Sequence, residues 1–354
     1  MKLKFIISAF LGLASFITAQ AQNVHIPDPN FKAYLIKNRE INTNGDSEIS
    51  VAEARAFTGA IWAGDKNISD LTGIEAFVNL KSLYCYNNKL SSLDLSQNTA
   101  LEFLTCHDNP LNSLDVSNNR ALTGLNCSES QLRSLDVSNN EKLEFLTCHN
   151  NQLSSLDLSK NTSLRYLDCH NNSLSSLDVS SNLFLTELFC SGNQLSSLDV
   201  SNNEKLKLLS CYKNSISSLD LSQNKVLEEL YCYNNQLSSL SVSNSTALRT
   251  LHCYINKLSS LDLSQNTALA TLYCHINQLS SLDLGNNTAL IRLRCENNQL
   301  SSLNLRNGNN RNIASYDIKI TDNPNLRSIQ VDDVAYSNAN WSARKDATAE
   351  FSKN

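Results

Sequence analysis

The chain has 354 residues, a formal charge of −5, eleven cysteines and a single methionine. Losing the basic leader residues Lys2 and Lys4 takes the remainder to −7, and an acidic chain without a basic stripe argues against nucleic acid or anionic lipid as a partner. Leu, Ser and Asn dominate, but the leucines are strictly periodic, which excludes disorder.

Residues 1–21, MKLKFIISAFLGLASFITAQA, read as a signal peptide: a basic start, an apolar run, and small residues at Ala19 and Ala21. The run is too short for a membrane span, and no cysteine follows the cleavage site to take a lipid. The expectation is a soluble, exported mature chain, placed in the medium, at the cell surface or in the periplasm.

Residues 22–58 predict a helical N-terminal cap. Asp28-Pro29 is a helix start, and Phe31, Tyr34 and Leu35 give an apolar stripe. The stretch NTNGDSEISVAE then fits an EF-hand-like loop, with oxygen ligands at Asn42, Asn44, Asp46, the Glu48 carbonyl, Ser50 and Glu53. Ser50-x-x-Glu53 reads equally as a capping box for a second helix. The sixth loop position carries Ser47 in place of the usual glycine, and the first ligand is Asn. Any calcium affinity is therefore weak, near the millimolar end, and the alternative is a plain helix–turn–helix cap over the first coil.

Residues 59–79 predict a degenerate first coil. Residues 80–310 then form eleven units of L-x-x-L-x-C-x-x-N-x-L-x-x-L-D-[LV]-x-x-N-x-x, with a cysteine every twenty-one residues from Cys85 to Cys295. The columns that start at Leu80, Leu83 and Leu93 are leucine in every unit. Such a period is the signature of a leucine-rich-repeat solenoid. Each unit divides into two similar halves with one short alternating segment apiece, L-x-C and L-D-L. This predicts a β-rich solenoid with two short parallel strands per coil, in two sheets, around a core filled by their apolar ends. Coils stacked at about 4.8 Å give a rod roughly 50 Å long. The asparagines that close each half, from Asn88 onward, are read as structural. A carboxamide both donates and accepts, and so satisfies backbone groups in a buried turn.

Three columns carry potential chemistry. The cysteines lie two residues from a core leucine and point inward. Geometry ranks a reduced, structural ladder first, because parallel side chains in a column oppose the disulfide dihedral of about ±90°. Disulfides come next and metal binding last, since each Cys–His neighbour pair faces opposite ways.

The residues on either side of the cysteines point outward: Tyr84, Tyr86, His107, His149, His170, Phe189, Tyr212, Tyr231, Tyr233, His252, Tyr254, Tyr273 and His275. Five of the six histidines and seven of the eleven tyrosines fall on this strip, a concentration that β-propensity explains only in part. Aromatics with polar tips suit binding surfaces, so the strip is the candidate ligand site. It is densest from Tyr231 to His275. A metal held by His149, His170 and Asp168 is a further option, set against two simply solvated imidazoles.

The third column is aspartate, from Asp94 to Asp283 and interrupted by Ser241. Like charges at this spacing repel, by roughly 1 kcal/mol per pair even in bulk water, which predicts raised pKa values. Flanking serines or bridging divalent cations are the candidates to offset the repulsion.

Units reading LxxLxCxxNxLxxLDL resemble bacterial leucine-rich repeats of internalin-J type, in which cysteine replaces a core leucine. The entry segment NISDLTGIEAFVNL resembles the first coil of internalin-like proteins. Residues 311–354 are expected to form a C-terminal cap, and IQVDDVAYSNANW within them is similar to the end cap of secreted Bacteroidota repeat proteins. The resemblance implies a secreted or surface binding module without catalysis. Neither a wall-anchoring signal nor a sorting tail is seen after the cap.

No G-x-S-x-G, H-E-x-x-H or P-loop sequence is present, and the repeat accounts for every Cys and column Asp, so no enzyme is expected and no cofactor is required. The function expected is recognition of a protein or cell-surface ligand through the Tyr/His strip. Carbohydrate binding on the same strip is the alternative, weakened because both tryptophans, Trp62 and Trp341, are assigned to the caps.

Overall fold

A computed structural model describes residues 22–353, so the expected signal peptide lies outside the described residues. Helix α1 (Pro29–Lys37) starts where Asp28 accepts the N–H groups of Asn30 and Phe31. The second Asp28 oxygen accepts the N–H and hydroxyl of Ser69, which ties the cap to the first coil. Helix α2 (Val51–Ala56) begins with the full Ser50–Glu53 capping box. Phe31 and Leu35 are fully buried. The Tyr34 hydroxyl accepts the Trp62 N–H at 2.7 Å and so covers a donor on the first strand, Ala60–Trp62.

From that strand to Ile318–Lys319, thirteen parallel strands follow one another in coil order. Each pairs in register with its equivalent one coil on, as Leu83 with Leu104 and Leu251 with Leu272. A sheet of this length follows from the sequence period. One coil consumes one repeat, so identical positions meet and every column stacks on itself. In the eleven strands of this sheet from Ser82 to Arg294 the central leucine and the cysteine after it are buried, Ile61 and Ala63 take their places in the first strand, and with the Leu80, Leu90 and Leu95 columns they form one continuous core.

The two-sheet expectation is met only at the C-terminal end. There Ser281–Asp283, Ser302–Asn304, Ser328–Gln330 and Glu350–Ser352 form a four-stranded sheet. In the earlier coils the L-D-L segments lie outside any strand. Their flanking residues are exposed, so water can satisfy the backbone there without a ladder.

The coil also continues past the expected boundary at residue 310. Ile318 and Ile320 take the buried Leu and Cys positions, and the Asn323 carboxamide donates to the Ile320 and Cys295 carbonyls at 2.8 and 3.2 Å. Helix α3 (Val334–Trp341), capped by Asp333, then brings fully buried Trp341 against Tyr336 and Phe351 to close the end.

Candidate ligand-binding surface

Alternate residues of a strand face opposite ways, so each coil presents outward side chains from fixed places. Tyr84, Phe189, Tyr231, His252 and Tyr273 occupy the third strand position. Tyr86, His107, His149, His170, Tyr212, Tyr233, Tyr254 and His275 follow the cysteines. All thirteen predicted residues therefore share one face of the long sheet. They are less exposed than the sequence suggests: twelve are half-buried and His275 is buried. The reason is that they cover one another.

The rings form three clusters rather than one strip. At the N-terminal end Trp62 stacks on Tyr84 at 4.0 Å and Tyr86 on His107 at 5.0 Å. In the middle His149 stacks on His170 at 4.3 Å, and Phe189 meets Tyr166 at 5.5 Å. At the C-terminal end Tyr212, Tyr233, Tyr254 and His275 make an unbroken four-ring stack with 4.3 Å at each step and planes within 10°. Beside it Tyr231 meets His252 edge-on, and His252 stacks on Tyr273 at 4.3 Å. Ser128, Ser191 and Ser210, all buried, occupy the gaps between clusters.

A ring stacked on both sides has no free face. What the four-ring column offers a ligand is its rim, with the electropositive ring edges, phenol groups and imidazole nitrogens. Burial and its two phenol neighbours push the Tyr233 hydroxyl up, and burial with the Glu229 acceptor pushes Tyr231 to about 12. Burial, then the neighbouring His275, pushes His252 down to about 4. Burial also lowers His149 and His275, so these three imidazoles are neutral rings at neutral pH.

Sequence reasoning missed four residues on this face. Trp62 is not a cap residue: it sits in the first strand, 56% exposed, at the head of the face. Phe103, Phe145 and Tyr166 occupy the first strand position, with Phe103 lying across Gly124. Their signal was available three residues before the cysteine, a place the cysteine-flanking pattern does not reach.

All eleven cysteines are buried and unpaired along the inner side of the same sheet. Burial pushes Cys85 and Cys127 up to about 12, so these thiols stay protonated and pack as small apolar groups. No family model and no curated protein matches the chain. Among solved structures, the functional domain of InlJ from Listeria monocytogenes, described as including a cysteine ladder, is 32% identical with a TM-score of 0.73, over 88% of this chain and 76% of that one. The chain belongs to the internalin family of leucine-rich-repeat proteins. The internalin inlF of Listeria monocytogenes shares the fold at 22% identity and a TM-score of 0.73, over 84% of this chain and 92% of that one. The leucine-rich-repeat protein FLRT2, in an octameric complex with Latrophilin 3 and Unc5D, also shares the fold, at 20% identity and a TM-score of 0.57, over 68% of this chain and 82% of that one.

In this internalin-type chain the aspartate column corrects the expected raised pKa values. Eight of the carboxylates, from Asp94 to Asp262, lie below the usual range. The serine two residues on supplies the N–H and hydroxyl responsible, as Ser96 does to Asp94 at 2.9 Å through its N–H. Two charge-assisted bonds outweigh the repulsion of exposed neighbours screened by water.

The EF-hand-like loop is closed by its own hydrogen bonds. Asn42 donates to the Ile36 and Asp46 carbonyls and accepts the Gly45 N–H. Asp46 accepts from Asn44 and from the Glu48 N–H, while the Glu48 carboxylate pairs with Lys32 at 2.7 Å. Glu53 accepts from Ser50, Thr43 and Asn44. Partial burial opposes its ionisation, but these donors win and hold it at about 2. The six proposed ligand residues thus converge on one loop, and the side-chain oxygens of Asn42, Asn44, Asp46, Ser50 and Glu53 are already engaged by donors. His170 likewise commits its Nδ1 to Asp168 at 2.6 Å. Among the described residues no group of three or more His, Cys, Asp or Glu side chains is placed to hold a metal ion.

Proposed function

We propose that the chain is an exported, non-catalytic binding protein that recognises a partner protein through the C-terminal aromatic cluster. An internalin-type leucine-rich-repeat fold supports a protein-binding role in general. The observation that carries the specific reading is the Tyr212–Tyr233–Tyr254–His275 column beside Tyr231, His252 and Tyr273. A rim of ring edges and hydroxyls on a rigid parallel sheet gives large contact area at small entropic cost, as aromatic-rich protein interfaces do. No helix among the described residues is long and apolar enough to cross a membrane, which is consistent with an exported chain.

Carbohydrate stacking needs free ring faces, and Tyr233 and Tyr254, stacked on both sides, have none. Exposed Trp62 favours a second reading at the other end of the sheet, where an indole could serve as a sugar platform. The test replaces Tyr231, Tyr233, Tyr254 and Tyr273 by Ser together and assays both forms against a panel of cell-surface proteins and a glycan array. Loss of a protein contact supports the proposal. Loss of a glycan contact, or full retention of a protein contact, overturns it.

A further inference from the structure

The second residue after each cysteine is left-handed, because its N–H must reach across to the next coil. The Asn234 N–H meets the Tyr254 carbonyl at 2.9 Å, and the Ile255 N–H meets that of His275 at 3.1 Å. Asn87, Asn150, Asn171, Asn234 and Asn297 suit such a place, as does Gly192. Asp108, Glu129 and Lys213 hold the place in three other coils, but only Ile255 and Ile276, in two successive coils and both at φ +54°, are β-branched. A β-branched residue at positive φ is a true outlier. Burial does not repay it, since the two side chains are 39% and 45% exposed. Every coil imposes the left-handed backbone here, so the unusual feature is the choice of a strained β-branched side chain at an exposed position twice in succession.

The pair directly follows Tyr254 and His275, at the end of the four-ring stack. Exposed Lys213 stands in the same column two coils before Ile255, exposed Lys257 follows Ile255 by two residues, and neither has a carboxylate partner among the described residues. Arg294 and Lys319 nearby both pair with buried Glu296. Asp322, two coils past Ile276, is the next acid on the row. Against these four cations stand Glu296 and Glu229, the latter accepting the Tyr231 hydroxyl, so the apolar spot keeps an excess of cations on a chain that is acidic as a whole.

We propose that Ile255 and Ile276, with the rims of Tyr254 and His275, anchor an apolar side chain of a partner protein whose flanking residues are acidic and meet Lys213 and Lys257. This rests on the protein-binding reading and names the partner's chemistry. An aliphatic anchor that loses its water on binding, ringed by complementary charge, is the usual arrangement of an interface hot spot.

The test uses the full chain, the double variant Ile255→Asn/Ile276→Asn, and the double variant Lys213→Glu/Lys257→Glu. The probes are synthetic peptides with a central Leu-Leu pair flanked by Glu or by Lys, together with the cell-surface protein panel. Asn is what neighbouring coils carry, so the isoleucine variant should melt roughly 2–4 °C higher. It should also bind Glu-flanked peptides at least about tenfold more weakly than the parent. The lysine variant should lose the preference for Glu over Lys flanks. Equal binding of both peptide series by the parent, unchanged binding by the isoleucine variant, or a lower melting temperature for it overturns the proposal. So does a parent dimer in sedimentation that the isoleucine variant abolishes, which would make a second copy the occupant. A panel protein lost with the tyrosine variant but kept by the isoleucine variant leaves protein binding standing and removes only this inference.

Discussion

The Asn235 side chain donates to the Cys211 carbonyl, 24 residues earlier and one coil away, at 3.0 Å. The same amide group reaches the Cys232 carbonyl of its own coil, and its oxygen accepts the Ile216 N–H at 3.0 Å. With a longer bond to the Tyr233 carbonyl at 3.4 Å, one carboxamide thus joins two coils through four bonds, and the arrangement recurs along the column.

Asn235→Ala strands the buried Ile216 N–H and removes a donor from three carbonyls, so it should cost about 2–3 kcal/mol by chemical denaturation. The natural exception gives the opposite expectation. Ser130 reaches only the Ser128 carbonyl, at 3.3 Å, and the Leu111 N–H turns to Asn109 instead. Ser130→Asn should therefore stabilise the fold by about 1–2 kcal/mol. A destabilised Ser130→Asn protein would show that this turn is built around the serine.

The thiols should be invisible to reagents in the native state. Buried and held protonated, none of the eleven should react with an aromatic disulfide reagent, and all eleven should react after unfolding without reductant. A count near one in the unfolded chain would mean that the ladder is oxidised.

Acid should weaken the fold in two stages. The His252 value falls from 6.5 unfolded to about 4 folded, and those of His149 and His275 fall too. In that window the unfolded chain binds protons that the native rings refuse, so stability drops as pH falls from 6.5 towards 4. The aspartates, depressed by their serine donors, add stability above their unfolded values and lose it as pH falls through their folded ones. Melting curves across both windows test this. His252→Gln should flatten the first stage, and an unchanged slope would exclude His252 as its source.

Glu53→Gln removes the charge that gathers Ser50, Thr43 and Asn44, and should cost about 1–2 kcal/mol with or without calcium. Millimolar calcium that raises the parent's melting temperature but not the variant's would identify the loop as a calcium site.

The repeat carried much of the fold in plain sight. An unbroken leucine column and a cysteine every twenty-one residues leave one economical solution, in which equal positions stack and apolar ends turn inward. The cysteine and first asparagine columns could be read the same way, because inward direction and capping follow from local alternation and hydrogen-bonding capacity. The aspartates could not. Whether repulsion or the serine donors win depends on a 2.9 Å contact that no spacing reveals. Trp62 was misplaced because the first coil lacks the cysteine that marks the register.

What the sequence alone determined is therefore the period, the inward columns and the outward direction of the residues that flank each cysteine, since these depend on neighbours along the chain. The tertiary structure decided which rings lie within 4.3 Å of one another, which faces they consume, and that Ile255 and Ile276 share a strained, exposed edge. Those properties arise between coils, where distance and burial are set by stacking, and no single repeat contains them.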